Sequence, residues 1–146
     1  MSSTVPALDT RDHHTAITTL IDAAVAPWRC YGFGDVPGRK SLRGDALNPG
    51  TEPRQYVLLS VSRRSIPGAP RVTAVQSRSG WRADVRSVGG HRLEVQRLQF
   101  LIAQALEGAV LNIDAGESTP VAFETGEEPN ADDGAVSALD SWTYTL

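Results

Sequence analysis

The chain has 146 residues, 40% of them apolar, with 13 Gly, 9 Pro and a net charge of −3. That length suits one moderate core and excludes a second domain of ordinary size, so residues 1–146 are expected to form a single domain. A single cysteine, Cys30, excludes a disulfide framework and a thiolate metal cluster, and no apolar run approaches the length of a membrane span.

The small net charge hides a separation along the chain. Residues 54–97 carry nine Arg against Asp84 and Glu94, a local charge of +7. Residues 107–146 carry nine acids and no base, a local charge of −9. Lys40 is the only lysine. Arg keeps its charge and makes planar, two-pronged contacts, which suits interfaces.

In chain order, residues 1–12 are polar and lack the basic-then-apolar pattern of a secretory signal. They are expected to be a flexible N-terminus on a protein made in a cytoplasm. A helix is expected to start over residues 9–14. Ile17, Leu20, Ile21, Ala24 and Val25 supply its apolar face, and Pro27 ends it. Residues 28–33 are an aromatic patch, and Cys30 within it reads as a small buried or half-buried residue. Residues 35–53, with three Pro and several Gly, read as a long surface loop.

Residues 55–64 read as a central strand, because Tyr56, Val57, Leu58, Leu59 and Val61 put apolar groups on both faces. Residues 71–78 and 81–88 read as a β-hairpin turning at Ser79-Gly80. In its second strand Trp81, Ala83 and Val85 alternate with Arg82, Asp84 and Arg86. Residues 91–111 read as a second helix that Gly108 frays or ends. Residues 120–125 read as a short strand, 126–135 as an acidic surface loop, and the alternation of Trp142, Tyr144 and Leu146 with polar residues as a closing strand. The expected fold is α+β: a mostly antiparallel sheet of about five strands with two helices packed on it, in the order α-β-β-β-α-β-β, with long loops.

The residues offer little chemistry. His13 and His14 are adjacent and therefore project about 100° apart on a helix, which disfavours chelation; they read as solvated or capping groups. Gly38-Arg39-Lys40-Ser41 lacks the spacing of a phosphate-binding loop. No serine sits in a GxSxG turn, and the acidic loop lacks the order of a calcium site. No enzyme activity, cofactor or metal is expected. The arginines on an acidic, aromatic-poor chain fit nucleic acid less well than they fit the acidic C-terminal third. That pairing can lie within one subunit or join one copy to the next.

The candidate interface residues are accordingly Arg63, Arg64, Arg78, Arg82 and Arg86. The candidate acidic partner residues are Glu124, Glu127, Glu128, Asp132 and Asp133. A small binding domain with a pocket around Trp28, Tyr31 and Trp81 is the competing expectation.

The segments QYVLLSVSRR, RVTAVQSRSGWRADVRS, HRLEVQRLQFLIAQAL, PVAFETG and SWTYTL, preceded by an amphipathic helix and a long loop, occur in this order. The pattern resembles the tail terminator, or tail-completion, proteins of long-tailed bacteriophages, within the group of head–tail joining proteins. The resemblance implies a structural virion protein that acts as a hexameric ring. Such a ring caps the head-proximal end of the tail tube and docks on a head-closure or connector protein. DNA would pass through an acidic lumen without specific binding, since like charges repel phosphate. A head-closure or adaptor protein of similar size is the neighbouring expectation.

Overall fold

A computed structural model describes residues 9–32, 34–38, 52–64, 80–114, 116–132 and 135–146. Helix α1 runs over Thr10–Val25. The Asp9 carboxylate caps it by accepting from the Arg11 N–H at 3.0 Å, an arrangement that stabilises a helix by about 1 kcal/mol. The last residues of the stretch expected to be flexible are therefore helical. Its buried side chains are His13, Ile17, Ile21 and Val25, an unbroken i, i+4 row.

Strand β1 (Cys30–Gly32) follows, then β2 (Tyr56–Arg64) and β3 (Gly80–Gly89). Helix α2 covers Arg92–Leu106, with the His91 ring accepting from the Leu93 N–H at 3.2 Å. It ends five residues earlier than residue 111, the limit expected from periodicity. Gly108 takes φ +77°, a conformation that L side chains avoid, and its N–H turns to the Val121 carbonyl at 2.8 Å. Two short strands, β4 (Asn112–Ile113) and β5 (Gly116–Glu117), pair with each other. Strands β6 (Ala122–Gly126), β7 (Asn130–Asp132) and β8 (Ala135–Thr145) complete the chain.

The main sheet has the order β1-β2-β3-β8-β6, with β7 also paired to β8. Every pairing is antiparallel except β1 with β2. The fold class is thus the expected one, with two helices on a mostly antiparallel sheet. The first of the three strands before α2 is β1, from the aromatic patch. The hairpin partner expected for β3 is a different matter. β3 is flanked by β2 along its length and by β8 on its other side, so both of its edges are taken by long-range strands. Residues 71–78 lie outside the described residues, as do 39–51 of the expected long loop and residues 1–8. The 126–135 stretch contains β7, whose Asn130, Ala131 and Asp132 pair with Ser137, Val136 and Ala135.

Both helices lie on one face of the sheet. Ile17, Ile21 and Val25 of α1 and Leu98, Ile102 and Leu106 of α2 pack on Val57, Leu59 and Val61 of β2, Trp81, Ala83 and Val85 of β3, and Trp142 and Tyr144 of β8. Leu111, Ile113 and Val121 close this core at one end. α1 sits over β1 and β2, whereas α2 sits over β3 and β8. β6 extends past the helical layer, with every residue exposed.

Candidate functional site

The second face of the sheet carries the arginines. Residues of alternating parity point there: Ser60, Ser62 and Arg64 from β2, Arg82, Asp84 and Arg86 from β3, and Ser137, Leu139, Ser141 and Thr143 from β8. The register sets Ser60 beside Asp84 and Asp84 beside Ser141, and sets Ser62 beside Arg82 and Arg82 beside Thr143. Among the described residues no helix covers these rows. At the other end of the same face Leu58 and Val88 are buried, close to the edge-on pair Tyr31 and Tyr56.

The rows hold a connected polar network. Arg82 donates through Nε to Asp84 Oδ1 at 3.0 Å and through Nη2 to Ser141 Oγ at 3.2 Å. The Ser141 hydroxyl in turn donates to Asp84 Oδ1 at 2.6 Å. Arg86 donates to the Ser137 hydroxyl at 3.1 Å. Glu124, on the β6 edge, meets Arg64 at 3.4 Å and Arg82 at 4.0 Å. Arg92 approaches Glu128 at 4.0 Å. The basic centre and the acidic C-terminal third therefore do meet within one chain, through Arg64, Arg82 and Glu124. Such exposed pairs are each worth less than about 1 kcal/mol.

Other expected site residues are placed differently. Arg63 is exposed on the helix-bearing side, opposite Trp81 in the register. Glu127 accepts the Leu139 N–H at 3.1 Å and its own N–H donates to the Leu139 carbonyl, so it binds the β6–β7 connection to β8. Arg78 and Asp133 lie outside the described residues, and of Asp132 only the backbone is described.

The aromatic residues do not gather into one pocket. Trp81 is fully buried under the helices, while Tyr31 lies on the opposite face of the sheet by register, beside Leu58. His13 overturns its sequence reading as a solvated or capping group. It is 0% exposed, stacks on the Trp81 ring at 3.7 Å and shares a 2.7 Å hydrogen bond between Nδ1 and the Tyr144 hydroxyl. The signal was its place four residues before Ile17 on the buried row. Burial pushes the Tyr144 hydroxyl's pKa up. It does the same to the Cys30 thiol, which rises to about 12 with help from the nearby Asp22 carboxylate. A thiol so held is not a nucleophile at neutral pH.

Among the described residues, Asp140 is the one buried acid. Its oxygens accept from the Gln99 amide at 3.2 and 3.3 Å. Burial raises its pKa despite that bond, and Glu127 adds to the rise. Among the described residues no group of three or more His, Cys, Asp or Glu is placed to hold a metal ion, and no helix is long and apolar enough to cross a membrane.

Among the described residues, the exposed large apolar side chains are Leu93 and Phe100 on the outer side of α2, Val110 just after it, and Phe123 on β6. Arg97 lies over the Phe100 ring at 5.7 Å. The Phe123 ring meets Trp142 edge-on, and its N–H donates to Glu107 Oε2 at 3.2 Å. Aromatic groups left half in water beside charged groups are a common composition for protein–protein contacts.

No family model matches this chain, and no curated protein sequence matches it significantly. Its fold does recur among solved structures. One is a chain from the virion of a native gene transfer agent particle, 14% identical, covering 90% of this chain and 91% of that one, with a TM-score of 0.60. A second solved chain, described by no function, is 9% identical over 95% of this chain and 96% of its own, with a TM-score of 0.62. At such identities the likeness is one of fold, and it extends over nearly the whole length of each chain.

Proposed function

We propose that this chain is a structural protein of a phage-like virion. Within the virion it would cap the head-proximal end of the tail tube as a ring and join tail to head. The observation that carries the reading is the near full-length likeness of fold to a chain of a gene transfer agent virion, joined to the terminator-like order of segments in the sequence. The polar face agrees with a structural role. It combines exposed charge with a four-strand support, and among the described residues it holds no catalytic arrangement of acid, base and nucleophile. In this reading the protein turns over no substrate and needs no cofactor. Its partners are further copies of itself, the tail tube protein and a head-closure or connector protein. The acidic residues Glu124, Glu127, Glu128, Asp132 and Asp133 are candidates for a lumen past which DNA slides without binding.

The test is direct. Purified protein is added to tail tubes and the mixture is imaged by negative-stain electron microscopy. The expected outcome is density at one end of each tube and an arrest of further tube growth. Tubes that stay open and keep growing at saturating protein would sink the terminator assignment.

A further inference from the structure

The two ends of the sheet that face away from each other differ in charge and in strand direction. β1 pairs with β2 only at Val57, Leu58 and Leu59. Among the described residues, the outward edge of Ser60–Arg64 has no strand partner. On the far side of the sheet, among the described residues, β6 pairs with β8 alone, and Glu107 reaches this strand by accepting from the Phe123 N–H at 3.2 Å. Both edges stand at the same height, because Ser62 aligns with Arg82, Arg82 with Thr143, and Thr143 with Ala122. The first edge ends in Arg63 and Arg64. The second is flanked by Glu107 and Glu124.

We infer that these two edges join in a head-to-tail contact between copies of this chain, with β6 of one copy pairing antiparallel with Ser60–Arg64 of the next. Three features support that occupant. β2, β3, β8 and β6 alternate in direction, so a second copy in the same orientation meets β6 with its β2 running the opposite way, which is the antiparallel arrangement. The charges then match on both faces of the sheet. Arg63 stands on the helix side, where Glu107 follows the end of α2, and Arg64 stands on the open side, where Glu124 projects. Like edges repel, basic against basic or acidic against acidic, so the same charges disfavour the two-fold contact and select the heterologous one.

Phe123, 50% exposed on this edge beyond the helical layer, supplies apolar area for the neighbour to cover. The own-chain contacts of Glu124 are long, at 3.4 and 4.0 Å, and leave 37% of its side chain exposed, so it can take a second arginine. A heterologous contact closes into a ring or runs on as a filament. The inference gives the ring reading above its subunit contact and rests on that reading only for its setting in the virion.

The experiment uses the full chain in sedimentation velocity at rising concentration. One variant carries Arg63→Glu with Arg64→Glu, and the other Glu107→Arg with Glu124→Arg. Circular dichroism melts check that both fold. The parent should form an oligomer, and each variant alone should associate at least about tenfold more weakly. An equimolar mixture of the two should assemble again, because each acidic edge then meets a basic one. Hydrogen exchange of the assembled parent should slow at both 60–64 and 122–126.

The contact is overturned by a parent that stays monomeric to its solubility limit. Variants that assemble like the parent, or a mixture that stays apart, overturn it equally. Protection gained elsewhere than at these edges does the same. Assembly through these edges without capping of tubes would keep the contact and remove the terminator role; capping with protection elsewhere would do the reverse.

Discussion

The two faces of the sheet come from the same strands and have opposite physical roles. On the helix side Trp81, Ala83, Val85, Trp142 and Tyr144 are buried with α1 and α2. On the other side Arg82, Asp84 and Ser141 bond to one another and Arg86 bonds to Ser137. A residue step along β3 therefore moves from a group whose loss opens a cavity to a group whose loss breaks a half-solvated hydrogen bond. The first costs several kcal/mol and the second less than about 1 kcal/mol. Stability is concentrated on one face, and the other is free to change or to meet a partner at little cost.

The largest test of that contrast is Trp81→Ala. It removes the biggest fully buried side chain and the surface on which His13 stacks. The expected loss is about 3–5 kcal/mol, read as a shift in the denaturant midpoint at unchanged slope. A loss below about 1 kcal/mol would mean that the helix face is not the source of stability. Tyr144→Phe is the next in size. It deletes the hydroxyl bonded to His13 while keeping the ring, and about 1–2 kcal/mol should go.

Arg82→Ala probes the open face. It breaks contacts with Asp84, Ser141 and Glu124 together, yet the midpoint should move by less than about 1 kcal/mol. A loss as large as that from Tyr144→Phe would erase the distinction between the faces.

The smallest effect concerns pH. Burial raises the Asp140 pKa above its unfolded value, so between those two values the folded chain holds more protons than the unfolded one. Stability due to this group is therefore present at acid pH and falls as pH rises through that window. Asp140→Asn keeps an oxygen for Gln99 and carries no charge. Relative to the parent, its thermal midpoint should gain as pH goes from acid to neutral. A constant difference across pH would show that Asp140 carries no such penalty.

Much of this contrast could be read from the chain alone. Alternation over 81–86 and 141–146 marks two half-buried strands, because successive residues of a strand face opposite ways. The row Ile17, Ile21, Val25 marks the buried side of α1. His13 was misread because its polarity suggested water, although its spacing belonged to that row; burial became possible once Trp81 and Tyr144 supplied a ring to stack on and a hydroxyl to bond. The partner of β3 was also misjudged. Local sequence favours the nearest strand through a Ser-Gly turn, whereas pairing with β2 and β8 depends on how the whole sheet closes.

Taken by itself, then, the sequence determined the two helices, the strands β2, β3, β6 and β8, the fold class and the separation of basic centre from acidic end, since these depend on periodicity and composition within short windows. Only the tertiary structure decided which strands are neighbours, that Arg64 and Arg82 meet Glu124, and that a basic edge and an acidic edge stand at one height on opposite sides of the sheet. Those facts depend on register between segments distant in the chain, and register is set by the packing of one whole face against the helices.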